Sequence, residues 1–433
     1  MINKIKSNLF LQSTLVLLIG GVIGKAVGFI LRIIITRYLG TEGMGLYSLL
    51  SPTASLLTVI ATFSYPTSIS KVISERSATP KSVILSLIPL SLLMNLFIII
   101  IVIFASPILS THLLKNELLH FPLICLSLVV PFISVSSIIK GYFWGRQNMF
   151  PYMLSNFLEQ VARLLIITLF INKFISLGIV PTICFIILVN AIGEVVSQIV
   201  MIYYFPKKSI KIDKYEIDKS TIKKVMDISV PATSSKIIGS IFYFLEPIVL
   251  TNILLFVGYT KEYIVYEYGI INAYALTLLL MPQFFTQNMA TSLVPELSKY
   301  YSLKNYDMCK KRIKQIVLIS STIGGISTLI ITLFPTFFLN LLYHTNEGVD
   351  YIRLLSPFTI LFYIEYPLIN ALQALGRSKS ALKCTITSSI IRIISIIIFS
   401  LLKLGMYSLV ISIIINLITS TFMYYREIKR TLN

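Results

Sequence analysis

Apolar runs long enough to cross a lipid bilayer recur along the whole chain of 433 residues. A helix needs about 20 apolar residues to span the hydrocarbon core, and only helices or closed barrels satisfy their backbone polar groups there. The sequence therefore predicts an all-α polytopic membrane protein with about 12 transmembrane helices. The predicted spans are 10–35, 46–63, 84–108, 118–139, 151–171, 177–204, 228–254, 268–290, 316–341, 354–375, 384–402 and 406–425.

The distribution of basic residues predicts one orientation in the membrane. The chain has 37 Lys and Arg against 18 Asp and Glu, a net charge of +19. In a soluble protein this excess would indicate a nucleic-acid partner. Here most of the basic residues fall in short connections on one side, as the positive-inside rule describes. We therefore expect a cell-membrane protein with cytoplasmic N- and C-termini and no nucleic-acid partner. The four cysteines form no CxxC pair, which favours packing roles over a metal site.

The two halves of the chain resemble each other weakly. Three short matches occur in the same order: 25–30 with 236–241, 144–146 with 375–377, and Arg163 with Arg392. Repeated halves that rock about a central site are typical of secondary transporters. We predict two six-helix bundles related by this internal repeat. They comprise residues 1–205 and 225–433, joined by a basic cytoplasmic linker at 206–224.

Five basic side chains lie inside predicted spans: Lys25, Arg32, Arg163, Lys236 and Arg392. A basic residue facing lipid at the bilayer centre costs about 2.5–3.5 kcal/mol, so these side chains require a partner, a cavity or a ligand. Lys25 and Arg32 are about two turns apart and share one helix face, which indicates a polar interior that attracts anions. The competing interpretations are structural ion pairs and snorkelling toward the membrane surface.

Acidic residues in the spans leave those interpretations open. Glu159 precedes Arg163 by four residues, a spacing that favours a local ion pair, whereas Arg392 has no acid at that spacing in its own span. Glu194 or Glu246 could instead carry a coupling proton or sodium ion. Beyond an ion gradient or the membrane potential, we expect no cofactor and no metal.

Several motifs together resemble the stage V sporulation protein B group. The stretches that carry the resemblance are 141–151 (GYFWGRQNMFP), 156–163 (NFLEQVAR), 291–298 (TSLVPELS), 28–32 (GFILR) and 37–43 (RYLGTEG). That group is part of the superfamily of multidrug, oligosaccharidyl-lipid and polysaccharide exporters, whose members include the MurJ-type lipid II flippases. The likeness extends over most of the chain.

The resemblance implies a flippase working by alternating access. Its expected substrate is an undecaprenyl-pyrophosphate-linked saccharide, such as a peptidoglycan or polysaccharide precursor, moved from the inner to the outer leaflet. Membrane lipids, a monomeric state and a connection with sporulation are also expected. The resemblance assigns the pyrophosphate to Lys25, Arg32, Arg37 and Lys236. Many members have fourteen spans and this chain has about twelve, so the resemblance leaves the path of the lipid tail open.

Three rival functions are compatible with a protein of this class. A multidrug or cation antiporter of the same superfamily would bind cations through acids within the membrane. A membrane enzyme that polymerises or ligates sugars would need a catalytic acid–base group in a cleft. The connections here are only about 20 residues at most by our span assignment, and none groups such residues, so we predict that the chain is not an enzyme. A non-transporting scaffold for wall assembly is the third rival.

Overall fold

The computed structural model describes residues 9–75, 80–205 and 218–432. Within these ranges the chain forms helices and turns and no strand. The α-helices are α1 (Leu9–Thr62), α2 (Tyr65–Ser74), α3 (Pro80–Pro107), α4 (His120–Gly145), α5 (Phe150–Ile175), α6 (Ile179–Tyr203), α7 (Lys219–Val257), α8 (Lys261–Gly269), α9 (Leu276–Leu280), α10 (Gln283–Ser302), α11 (Tyr306–Leu333), α12 (Pro335–Tyr343), α13 (Val349–Ala374), α14 (Ser378–Leu401) and α15 (Tyr407–Leu432).

In the described part of the chain, eleven helical stretches are long and apolar enough to cross a membrane. The first, Ile23–Ser74, overlaps two predicted spans, 10–35 and 46–63, because α1 continues through their connection and is broken only at Gly40 (φ 63°, ψ −171°). Glycine adopts this positive φ without the steric penalty of a Cβ. The prediction of an all-α polytopic membrane protein with about twelve spans is therefore confirmed.

One predicted span is displaced along the chain. The eighth was placed at 268–290, whereas the apolar stretch runs from Lys261 to Leu280 and includes a π-helical segment at Ile270–Ala275. Pro282 then precedes the start of α10. Proline has no N–H and its ring obstructs the preceding turn, which explains why the helix ends before it.

The chain folds into two compact units. The first unit comprises Met1–Tyr38 and Leu50–Ser240, and the second comprises Leu39–Leu49 and Ile241–Asn433. The compact units are defined by packing, whereas the predicted bundles 1–205 and 225–433 were inferred from a sequence repeat. The boundaries of the two bundles therefore stay a prediction. Of the predicted linker 206–224, residues 206–217 lie outside the described ranges. From residue 219 onward the chain is already part of α7.

The first unit has a core in which α2 packs on α4. A methyl group at Gly141 would come within 2.8 Å of Ile69 Cβ, and one at Gly145 within 2.8 Å of Ile73 Cβ. Both isoleucines are buried, and Tyr142 and Phe143 of α4 belong to the same core. The glycines of the GYFWG stretch thus permit two helices to approach closely.

The second unit includes a comparable close approach near the break in α1. A methyl group at Gly45 would lie 2.0 Å from the Val265 carbonyl oxygen, and one at Gly269 would lie 2.4 Å from the Thr41 carbonyl oxygen. Thr41 Oγ1 also donates to Glu347 Oε2 at 2.9 Å. Backbone contact with α8 therefore explains why residues 39–49 pack as part of the second unit.

Candidate functional site

Lys25 lies near the middle of the helical segment that runs from Leu9 to the break at Gly40. At 1.5 Å per residue it is about 23 Å from either end. Its side chain is exposed, and that of Arg32, two turns further on, is half-buried. The Arg32 carbonyl accepts a hydrogen bond from Thr36 Oγ1 at 2.8 Å. Arg32 and the exposed Arg37 each have an interaction with another residue.

Open space adjoins Lys25 on one side of α1. A methyl group at Gly24 would meet no atom within 4 Å, whereas one at Gly20 would come within 1.8 Å of Met153 Cγ. At Gly28 the nearest atom would be Gln160 Oε1, at 3.5 Å. Helix α5 therefore packs against Gly20 and brings an amide near Gly28, while the surface at Gly24 stays accessible.

Lys236 has a similar environment in α7. Its side chain is exposed, and a methyl group at Gly239, three residues later, would meet no atom within 4 Å. Within the described ranges, neither Lys25 nor Lys236 has an acidic partner at ion-pair distance. The lysines matched by the repeat are thus both accessible on their helices.

Arg163 belongs to a buried charge network in the first unit. Its Nη2 lies 2.5 Å from Glu159 Oε1, one turn earlier in α5. Glu194 of α6 lies 3.7 Å from Lys140 Nζ of α4, and both carboxylates are buried. A methyl group at Gly193 would be 2.5 Å from Arg163 Nε, so this glycine makes room for the guanidinium group. Two bases and two acids balance the charge.

Arg392 is paired with an acid in the second unit. Its Nη2 lies 2.7 Å from Glu246 Oε2 of α7, and Glu246 is only 3% exposed. Glu365 of α13 also lies near Arg392 and near Ser420 of α15. Two carboxylates therefore surround one guanidinium group.

These contacts divide four of the six predicted binding residues into two pairs, and Arg32 and Arg37 belong to neither. Arg163 and Arg392 are bound to carboxylates, whereas Lys25 and Lys236 are accessible. Lys140 was missed because it directly follows the predicted fourth span, 118–139, and was counted with the connection. Its position at the end of an apolar run was the sequence feature that could have identified Lys140. Among the described residues, no three His, Cys, Asp or Glu side chains lie close enough together to hold a metal ion.

Comparison with known proteins places the chain in a family. The family model described as polysaccharide biosynthesis protein matches residues 10–301, more than half of the chain. The chain belongs to the polysaccharide biosynthesis protein family. A second model, MatE, matches residues 240–398. The sequence-based identification of the superfamily is confirmed.

Two curated relatives and one solved structure illustrate this membership. Stage V sporulation protein B of Bacillus subtilis (strain 168) is 29% identical over 435 residues, covering 98% of this chain and 84% of that protein. Lipid II flippase MurJ of the same organism is 21% identical over 427 residues, covering 90% and 77%. A multidrug resistance MATE family transporter of the MOP superfamily, solved in an inward-facing conformation, has a TM-score of 0.78 at 16% identity over 94% of each chain. This last likeness shows the fold.

The coarse assignment follows from these findings. The chain is a multi-pass membrane protein and a transporter of the multidrug, oligosaccharidyl-lipid and polysaccharide exporter superfamily.

Proposed function

We propose that this protein flips a saccharide linked to undecaprenyl pyrophosphate from the inner to the outer leaflet. The observation that carries the proposal is the exposed Lys25 side chain in the middle of an apolar helix, with open space at Gly24. Facing lipid there, a lysine would cost about 2.5–3.5 kcal/mol. A water-filled cavity that admits an anionic head group removes this cost. Membership of the polysaccharide biosynthesis family, and a relative named as a lipid II flippase, support the same substrate class.

Each basic side chain has a distinct role in this proposal. Lys25 supplies a compact charge and Arg32 a planar fork suited to two phosphate oxygens. Arg37 and Lys236 add positive charge along the path of the head group. Arg163 and Arg392 act as positioning residues, because their carboxylate partners neutralise them and fix the helices that carry them. Rocking of two bundles about the bound head group would then expose it to either side.

Of the two candidate residues for coupling to an ion gradient, we favour Glu194 over Glu246. Glu246 is held at 2.7 Å by Arg392, whereas Glu194 lies 3.7 Å from its lysine partner. The looser pair exchanges a proton or sodium ion at a smaller loss of Coulomb energy. The membrane potential is the alternative driving force, because moving one charge across it is worth about 2.3 kcal/mol per 100 mV.

The alternative function is export of cationic drugs. It needs a membrane carboxylate that can receive a cation, and Glu365, the second acid beside Arg392, is the candidate. The paired state of Glu159, Glu194 and Glu246 disfavours it. We further propose that both termini lie in the cytoplasm, on the strength of the positive-inside distribution, and that the protein acts as a monomer.

Transport by purified protein in liposomes tests the proposal. Wild-type protein is expected to flip a lipid-linked saccharide diphosphate and to leave a neutral glycolipid of equal chain length unmoved. Accumulation of cationic dyes, measured in the same vesicles, is expected to be absent. Dye accumulation without diphosphate flipping would establish the antiporter instead, and neither activity would favour a non-transporting scaffold.

A further inference from the structure

A small cavity with a mixed polar and apolar lining lies in the first unit beside a break in the backbone. Helix α1 ends at Thr62, Phe63 and Ser64 have positive φ angles of 43° and 50°, and α2 begins at Tyr65. The cavity is lined by Ile60, Ala61, Phe63, Tyr65, Ser91, Met94, Asn95, Ile98 and Ser134. The space open to the centre of a water molecule is about 10 Å³, close to the volume that one water requires.

Two buried polar side chains line this cavity without a partner in the described structure. Asn95 is 2% exposed and Tyr65 is 1% exposed. Neither Asn95 Nδ2 nor the Tyr65 hydroxyl has a hydrogen-bond partner among the described residues. Buried polar groups in folded proteins are nearly always satisfied by protein atoms or ordered water, so both groups call for a small hydrogen-bonding ligand.

The break in the helix lies at this cavity and bears on its backbone acceptors. The last carbonyls of a helix lose their regular donors. Two near this break are within hydrogen-bond distance of one hydroxyl: Thr62 Oγ1 lies 2.9 Å from the Thr58 carbonyl and 3.2 Å from the Val59 carbonyl, and the Val59 carbonyl also accepts from the Phe63 N–H. Ile60 and Ala61, the remaining residues of that turn, line the cavity instead.

We propose that one ordered water molecule occupies this cavity. It accepts hydrogen bonds from the Asn95 amide and the Tyr65 hydroxyl and donates to the carbonyls of Ile60 and Ala61. Irregular backbone inside a membrane protein is tolerated where water or protein satisfies it, and the water supplies that partner here. By stabilising the break, it also sets the direction of α2, whose Ile69 packs on Gly141.

The proposal is tested by thermal unfolding of the full-length protein in detergent. The observation that decides is the direction in which each of two substitutions changes the Tm. Asn95→Leu replaces the amide with a larger apolar group that displaces the water, and we expect it to lower the Tm by about 2–4 °C per kcal/mol lost in a unit of this size. Tyr65→Phe should lower the Tm of the wild type. In the Asn95→Leu background it should leave the Tm unchanged or raise it, because the hydroxyl is then already unsatisfied.

If the cavity holds no water, each substitution should change the Tm in the opposite direction. Asn95→Leu and Tyr65→Phe would then each remove an unsatisfied buried group and raise the Tm, which would overturn the proposal. If the Asn95→Leu protein does not fold, the direction of the Tm change in Tyr65→Phe decides whether the cavity holds water. A sodium ion in place of water would also overturn it. In that case, replacing sodium chloride with choline chloride would lower the Tm of the wild type and not that of Asn95→Leu.

Discussion

Arg392 and Glu246 lie on different helices of the second unit, with Nη2 and Oε2 only 2.7 Å apart. In the first unit, the arginine that the repeat matches to Arg392 is Arg163, and its acid, Glu159, comes from the same helix. The two arginines therefore occupy matched sequence positions but obtain their counter-ions differently. In both units the arginine is paired with a carboxylate, so the proposed anion site depends on other basic groups, those of α1 foremost.

Removing one partner of the Arg392–Glu246 pair should destabilise the second unit strongly. Arg392→Met leaves a buried carboxylate without its counter-ion, and we expect a loss of about 3–5 kcal/mol. The double variant Arg392→Met/Glu246→Gln should recover most of that loss, as measured by thermal unfolding. A single variant as stable as the wild type would mean that the pair contributes nothing and that Arg392 is available for a ligand.

Gly193 should tolerate no side chain, because its neighbour is the stem of Arg163. The methyl group of Gly193→Ala would lie 2.5 Å from Arg163 Nε and 2.9 Å from its Cγ, and we expect a loss of about 1–3 kcal/mol. The matched control is Gly239→Ala, also within a helix, where the methyl meets no atom within 4 Å. That change should be neutral or stabilising by up to about 1 kcal/mol. Equal effects in denaturant titrations of the two variants would contradict the packing described for Arg163.

Two cysteines test the packing of α4 against α6. The thiols of Cys125 in α4 and Cys184 in α6 lie close enough to interact with each other. Copper phenanthroline should therefore oxidise this pair to a disulfide with loss of two hydrogen atoms. Intact mass after alkylation should show two fewer modified thiols. Cys125→Ser should abolish the effect, whereas unchanged alkylation of the wild type would show that the two helices are placed wrongly.

Asp218 should make the start of α7 sensitive to acid. Its carboxylate accepts hydrogen bonds from Thr221 Oγ1 at 2.6 Å, Ser220 Oγ at 2.7 Å and Ser82 Oγ at 2.9 Å. These bonds, that from Thr221 foremost, lower the pKa of Asp218 below its usual value. A lowered pKa contributes stability that is complete above the unfolded pKa, about 3.9, and is lost as the pH falls through the folded pKa.

Hydrogen exchange at residues 219–222 is the measurement for this effect. Wild-type protein should lose protection there at a pH below about 4, and Asp218→Asn should show little protection at any pH in the same range. A wild-type segment whose protection does not change with pH would contradict the capping role.

The fold could be predicted from the sequence because the length of an apolar run is a direct physical requirement of the bilayer. Details of the backbone could not. The first two spans were predicted with a loop between them, but the chain there forms one helix, α1, that is broken at Gly40. The eighth span was predicted to be continuous over 268–290, but Pro282 interrupts it and α10 begins at the next residue. Apolar content alone does not distinguish a helix that bends from one that stops.

The candidate site was predictable only where its contacts are local. The spacing of Glu159 and Arg163 indicates their pair, and the structure contains it. Arg392 finds Glu246 on another helix, and Lys140 finds Glu194 in the same way. Such pairs depend on which helix faces pack together, and a single sequence does not contain that information.

The most direct test of the account is a charge-rescue experiment at Lys25 in the liposome flipping assay. Lys25→Ala should abolish flipping of the lipid-linked diphosphate, and Lys25→Arg should retain much of it, because either cation can bind a diphosphate. The matched control is Lys173→Ala, an exposed lysine near the end of α5, which should flip at the wild-type rate. Normal flipping by correctly inserted Lys25→Ala protein would contradict the proposed role of α1 in holding the anion.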